Sequence, residues 1–286
     1  MAGASRALAL LGVGVFVGAC SDGAASASLD GEPIGDASID SGTSDAGEST
    51  GSLDAAGRTV TVEGDYYRFY LDRDGRPDMP VGGAEACMLP GGPPICDTTD
   101  STGRWSLHDV PALRDLELRL TADGFVPSYR LVHVPGRDLA LFAFSYASND
   151  LLGYLFLAAE ETSDPARGMV TFEAMRGTVA GLWLRDVEGA SATLRSTAPS
   201  GESYAASYAN DMQIPLAGLT ATTSAGLGYF ANVRPGEYVL VVTHPTRSCE
   251  AHPILGWRPT EPGMNATARV PVHAGAVTFA TVLCPD

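Results

Sequence analysis

The sequence predicts an all-β protein: two tandem β-sandwiches behind an export leader and a disordered linker. Three observations predict it. From residue 58 onward the chain is a succession of short apolar or alternating runs punctuated by Gly, Pro, Asp and Asn, the signature of strands joined by turns. Residues 21–57 hold eight acidic residues, no basic residue and no aromatic one, so they cannot bury enough apolar surface to offset the entropy of ordering. Ahead of them, a single Arg6 precedes an apolar run over 7–19, which is shorter than the ~20 residues that span a bilayer.

That run has the length of a signal-peptide core. It closes on Val17-Gly18-Ala19-Cys20, where small residues suit a peptidase pocket and a cysteine in the first mature position is free to take a lipid. The segment resembles the lipobox of bacterial lipoproteins, with Val17 where Leu is commoner; the plainer reading is a secretory signal with a chance cysteine. The resemblance implies a leader over 1–19, lipidation of Cys20 and an added fatty acyl chain of the palmitate type, so that several chains hold the protein on a membrane. Ser21, rather than Asp, follows the cysteine and resembles the signal for transfer to the outer membrane. Residues 20–57 are then the lipidated cysteine and a self-repelling acidic tether.

The net charge of −16 is uneven. From residue 58 on there are 17 Arg against 26 acidic residues. Such a surface disfavours nucleic acid as a partner, because nucleic acid requires a positive footprint. All 18 basic residues are Arg, which reads as genomic composition rather than chemistry. Hydrophobic residues make up 45%, enough for a sizeable core. No second apolar run approaches a membrane span.

With Cys20 assigned to lipid, Cys87, Cys96, Cys249 and Cys284 remain, an even set in an exported chain, which favours disulfides. Of the three possible pairings, Cys87–Cys96 and Cys249–Cys284 are expected. The first closes a short hairpin tip and the second ties the last strand to an earlier one. The alternative, a zinc site, lacks the C-x₂-C spacing.

Taken in order, strands are expected over 59–63, 66–71, 84–89, 104–107, 116–122, 129–134 and 139–144. In 116–121, Leu116, Leu118 and Leu120 alternate with Glu117, Arg119 and Thr121, the mark of a strand with one wet face. Asn149-Asp150 is expected to cap a short helix running to about residue 161, ended by Asp164-Pro165. Strands resume over 168–174, 178–184, 190–196, 202–208, 212–216, 228–233, 238–243, 268–272 and 277–283. The domains are thus a first sandwich over 58–147, a helical connector over 148–167 and a second sandwich over 168–286.

Two places share a phrase. One runs Pro80-Val81-Gly82-Gly83-Ala84, then Thr99-Asp100-Ser101-Thr102-Gly103-Arg104-Trp105, then Val110-Pro111. The other runs Val187-Glu188-Gly189-Ala190, then Thr223-Ser224-Ala225-Gly226-Leu227-Gly228-Tyr229-Phe230, then Val233-Arg234-Pro235-Gly236. Gly-Ala opens a strand, Gly relieves a tight turn, an aromatic fills the core, and Pro turns the chain. With Asp74-Gly75-Arg76-Pro77 ahead of it, the first copy resembles the carboxypeptidase regulatory-like domains, which have a transthyretin-like β-sandwich fold. The second copy, with a longer interval through 211–223, matches less of the pattern, and an immunoglobulin-like sandwich is its alternative. The resemblance implies a non-catalytic surface module and supplies no catalytic residues.

Other constellations are weighed on their chemistry. Asp72–Asp78 gathers carboxylates around Gly75 but lacks the later bidentate Glu of a calcium loop, so a turn is expected. His244 and His252 flank Cys249 and Glu250, which leaves a metal-dependent enzyme as the competing function. Tyr66, Tyr67, Phe69 and Tyr70 could stack on sugars, although strand alternation sends half of such a run inward. Trp105, Trp183 and Trp257 read as core or loop anchors. No nucleophile elbow is expected, because Gly47-Glu48-Ser49-Thr50-Gly51 fits Gly-x-Ser-x-Gly only by its letters, inside the acidic segment and not between a strand and a helix, and Gly-x-Gly-x-x-Gly is missing from the sequence. The function expected is a binding or structural module at the cell envelope without catalysis. No cofactor is expected, and the ligand would be a polysaccharide, peptidoglycan or another envelope protein.

Overall fold

The computed structural model describes residues 57–68, 79–141, 144–146, 148–176, 185–198, 201–259 and 267–285. The leader, Cys20, the acidic segment and the Asp72–Asp78 turn lie outside them, as do Phe69, Tyr70, Trp183 and the strand expected over 178–184.

The first half contributes β1 (Thr59–Arg68), β2 (Met79–Pro80), β3 (Glu85–Leu89), β4 (Ile95–Thr98), β5 (Arg104–Pro111), β6 (Arg114–Thr121), β7 (Ser128–Val134), β8 (Leu139–Ala140) and β9 (Phe144–Tyr146). One sheet runs β4-β3-β6-β7, all antiparallel. The opposing sheet is built on β1, which pairs antiparallel with β5 and β2 and parallel with β8 and β9. Val60, Val62, Tyr66, Trp105 and Leu107 from the β1 sheet meet Ala86, Met88, Leu116, Leu118, Leu120, Val132 and Val134 from the other in one buried cluster. Two sheets closing on one core make a β-sandwich.

Helix α1 (Asn149–Ala158) follows. Its cap is Ser148, whose Oγ accepts from Leu151 N–H at 3.3 Å, one residue before the expected Asn149. It stops short of residue 161 because Glu160 turns to φ +59°. Glu161 N–H then donates to Phe156 O at 2.9 Å and Glu160 N–H to Leu157 O at 3.1 Å, a Schellman closure with Glu where Gly is usual.

The second half contributes β10 (Gly168–Arg176), β11 (Arg185–Asp186), β12 (Ser191–Ser196), β13 (Ser203–Ala205), β14 (Ser207–Tyr208), β15 (Leu227–Val233), β16 (Gly236–Thr243), β17 (Glu250–Ala251), β18 (Ala268–Val272) and β19 (Val277–Leu283). Its sheets run β13-β12-β16-β18 and β14-β15-β10-β19, with β10 and β19 parallel. Phe172, Phe230 and Val282 of one meet Leu194, Leu240 and Val270 of the other. The stretch 212–216 is a turn rather than the expected strand. Asn210 Oδ1 accepts from Met212 and Ile214 N–H at 3.0 and 3.1 Å, so the backbone is held locally instead of in a ladder.

The halves share one connectivity: β4-β3-β6-β7 matches β13-β12-β16-β18, and β5-β1-β8 matches β15-β10-β19. The match extends to hydrogen bonds. In the first half, buried Thr99 receives Ala84 N–H on Oγ1 (2.9 Å) and donates that hydroxyl to Val81 O (2.6 Å). In the second, buried Thr222 receives Ala190 N–H (3.0 Å) and donates to Val187 O (2.6 Å). Gly103 (φ +80°) and Gly226 (φ +64°) close the equivalent turns. A Cβ on Gly103 would sit 2.5 Å from Tyr66 O, and one on Gly226 2.7 Å from Ala174 O. The aromatic of the repeated phrase, however, changes strands. Trp105 on β5 covers Gly64 on β1, whereas Phe172 on β10 covers Gly228 on β15. Trp105 also explains why β1 runs unbroken through Gly64-Asp65, where the sequence suggested two strands: the indole fills the place a side chain at 64 would need.

Residues Ser52–Asp286 form one compact unit, because β19 pairs parallel with β7, setting Val277, Thr278 and Phe279 opposite Ser128, Tyr129 and Arg130. The β-ladders therefore run without interruption from β14 to β4. The two cores lie on opposite faces of this shared sheet: Val132 and Val134 of β7 point into the first, Leu131 into the second.

Candidate functional site

The charged face of β6 is where the halves meet. Alternation sends Leu116, Leu118 and Leu120 into the first core and leaves Asp115, Glu117 and Arg119 on the opposite face. The sequence marks that face as wet, but the second half covers part of it. Asp115 Oδ1 accepts from His133 Nδ1 on β7 at 2.8 Å, and its Oδ2 lies 3.6 Å from Arg269 Nη2 on β18. Glu117 faces His273 Nε2 at 3.1 Å, and His273 stacks on Tyr129 with ring centroids 3.9 Å apart. Beside the β7–β19 ladder, Arg130 lies over Phe279 at 4.3 Å and within 3.7 Å of Glu173.

Beside this contact the surface dips into a shallow, open cleft of about 560 Å³. The β3–β4 hairpin tip (Leu89, Pro90, Gly91) and the β5–β6 turn (Leu113, Arg114) form its first-half rim. Asp115 and His133 form its floor, and Trp257 and Arg269 the second-half wall. The wall is pre-arranged: the Arg269 guanidinium lies 4.7 Å above the Trp257 ring, and Arg269 N–H donates to Trp257 O at 2.8 Å. The buried Nε of Arg269 and Nε1 of Trp257 have no hydrogen-bond partner among the described residues. On the rim, Leu113 is 52% exposed and sits at φ +57°, a conformation costing a non-glycine residue roughly 1–2 kcal/mol. Its N–H is fixed to Val134 O at 2.8 Å. The Arg269 guanidinium and the His133 imidazole thus flank a single carboxylate, and Arg114 also lines the cleft, on a chain whose net charge is −16.

The residues singled out in the sequence lie elsewhere. Cys87–Cys96 and Cys249–Cys284 stand at disulfide distance; the first pins the β3–β4 hairpin whose tip overhangs the cleft, the second joins the end of β19 to the segment before β17. Among the described residues the grouping of three potential metal ligands is Glu85, Cys87 and Cys96, but its thiols are in the disulfide and Glu85 pairs with Arg119 at 2.9 Å. His244 is half-buried; its Nε2 faces Glu188 O at 3.0 Å and its Nδ1 accepts from Thr246 N–H at 3.2 Å. His252 is 3% exposed and its Nδ1 accepts from Ile254 and Leu255 N–H at 3.2 and 3.0 Å, so it organises a loop. Burial lowers its pKa to about 4. Tyr66 is core, its ring tilted against Phe125. Asp100 holds its turn by accepting from Thr102 and Arg104, which lowers its pKa.

Sequence reasoning missed the cleft residues Arg114, Asp115, His133 and Arg269, and read Trp257 only as an anchor. The one available signal was the charged alternation of β6.

No protein-family model matches the chain, and no curated protein does. Among solved structures, the Bacillus anthracis TIE protein is 12% identical over 80% of this chain, at a TM-score of 0.26; the chain covers 34% of that protein's length. A minor pilin of Streptococcus agalactiae is 11% identical over 80% of this chain and 96% of its own, with a TM-score of 0.27. A shaft pilin of Lactobacillus rhamnosus GG is 12% identical over 79% of this chain and 97% of its own, with a TM-score of 0.21.

Proposed function

We propose that this chain is an exported, non-catalytic binding module, held at the outer membrane of a bacterial envelope by lipid on Cys20 and carried clear of the surface by residues 21–57. Its recognition surface is the cleft between two sandwiches, 58–147 and 168–286, with 148–167 as connector. Its ligand is an envelope polysaccharide, peptidoglycan or another envelope protein. The observation that carries the reading is the cleft wall. Asp115, His133, Arg269 and Trp257 hold one another in fixed orientations, which lowers the entropic cost of recognition. The lining residues include an Asp–His pair but no Ser, Thr or Cys beside it to serve as a nucleophile. The two disulfide pairs fit an oxidising compartment.

The test is a pull-down of envelope components with the purified full chain, run alongside a glycan array and metal analysis. Enrichment of a defined glycan or envelope protein, lost when Arg269 is replaced by Gln, is the expected result. Stoichiometric zinc or iron, or turnover of a captured ligand, would overturn the non-catalytic reading.

A further inference from the structure

We infer that the junction cleft is a receptor for a carboxylate-bearing saccharide of the uronic acid type; this deepens the binding-module reading and rests on it. Arg269 supplies the anion site. Stacking on Trp257 fixes its guanidinium, and Asp115 at 3.6 Å is beyond hydrogen-bond distance. A planar fork of donors is therefore oriented without being saturated, and such a fork matches a carboxylate in two parallel bonds. Arg114 on the opposite rim adds a second positive charge. The two guanidinium groups make this spot attractive to anions on a chain whose net charge is −16.

Asp115 decides what kind of anion fits. A carboxylate beside the guanidinium repels a ligand that is anionic throughout, such as a polyphosphate, but accepts hydrogen bonds from hydroxyl groups. A ligand that must donate to Asp115 while accepting from Arg269 carries hydroxyls next to a single carboxylate, which describes an acidic sugar. The Trp257 face already bears Arg269 and the residue is 7% exposed, so a neutral sugar stacked on bare indole is not the arrangement this wall favours. Leu113, exposed and held at positive φ, offers an apolar surface for the C–H face of a pyranose.

The experiment measures binding of a glucuronate-containing tetrasaccharide and its carboxyl-reduced counterpart to the full chain by calorimetry. The acidic form is expected to bind and the reduced form to bind at least ~10-fold more weakly, since hydrogen bonds to a charged group are each worth about one order of magnitude or more. Arg269→Gln and, at the exposed rim, Arg114→Gln should each weaken the acidic sugar by roughly 10-fold and so narrow its advantage over the reduced sugar. Arg114→Gln keeps the test valid if Arg269→Gln disturbs the junction. Equal binding of both sugars would overturn the acidic-sugar inference, and it leaves the binding-module reading intact where Arg269→Gln still weakens both. If neither sugar binds while the pull-down yields an envelope protein, the inference falls and the module reading stands with a protein ligand. If nothing binds in either experiment, both fall.

Discussion

Thr99 and Thr222 occupy equivalent places in the two halves, and replacing each by Val tests whether the repeated clasp holds the fold. Val keeps the volume and removes the hydroxyl. In Thr99→Val, the fully buried Ala84 N–H loses its acceptor and Val81 O loses its donor. Each buried group left unsatisfied costs about 1–3 kcal/mol, so a loss of ~2–4 kcal/mol is expected. The same holds for Thr222→Val, which strands Ala190 N–H and Val187 O. For a folded unit of this size a loss of that order lowers Tm by roughly 5–15 °C. Urea titration followed by tryptophan fluorescence, with calorimetry, measures both. Thr99→Ser, which retains the hydroxyl, should lose markedly less. Because β7 and β19 lie in one sheet, the two variants should displace the same single transition, and the double variant should approach their sum. A loss under ~0.5 kcal/mol in either single variant would refute the clasp argument, and two separate calorimetric steps would refute the coupling through the shared sheet.

Three further outcomes follow from the same structure. Gly103→Ala meets both a positive φ and Tyr66 O at 2.5 Å and should cost more than ~2 kcal/mol, whereas Gly83→Ala, at φ +76° with nothing within 4 Å, should cost only about 1 kcal/mol in chemical denaturation. His252, with its pKa depressed from 6.5 to about 4 by burial, makes the unfolded state bind more protons below pH 6.5. Stability should therefore fall as the pH drops from 6.5 towards 4, by on the order of 3 kcal/mol, and His252→Asn should flatten that dependence in pH-resolved urea titrations if Oδ1 takes over the loop N–H groups. Cys20→Ala should release the protein from the membrane fraction on cell fractionation; unchanged retention would remove lipid as the anchor.

Local features of the fold were legible in the sequence because they are governed by local chemistry. Alternation in 116–121 located β6, and the even cysteine set suggested the two pairs that stand at bonding distance. The repeated Gly-Ala and Thr-to-Gly phrases marked equivalent turns, although the threonine that matches Thr99 is Thr222, one residue ahead of the phrase that begins at Thr223. The aromatic of the repeat was mismatched because packing conserves a filled space rather than a strand: Trp105 over Gly64 is replaced by Phe172 over Gly228. The β7–β19 ladder joins residues about 150 positions apart through backbone groups alone, which no spacing announces. The cleft was hidden for the same reason, since Asp115 and Arg269 come from different halves. Glu160 took the left-handed helix-end position without the glycine that would have revealed it.

The joint between the halves is heterologous: the edge of one sheet type, β7, meets the edge of the other, β19. Such a contact propagates into an open array unless its ends are blunted. By register, β18 is the second-half counterpart of β7, with Arg269 in the place of Leu131 and Pro271 in the place of His133. Arg269 N–H is already given to Trp257 O, and the next outward position, Pro271, has no N–H to offer a new strand. At the other end, β8 is two residues long where its counterpart β19 has seven. Both edges that would extend the array are thus weakened. The loop that closes β18 is also the one that builds the cleft, because Trp257 caps the edge with its carbonyl and carries Arg269 on its ring, while Ile254 O takes His133 N–H from β7 at 2.8 Å. A single segment, 254–257, therefore both stops strand addition at β18 and orients the guanidinium that faces the cleft, so a substitution there should disturb oligomeric state and ligand binding together.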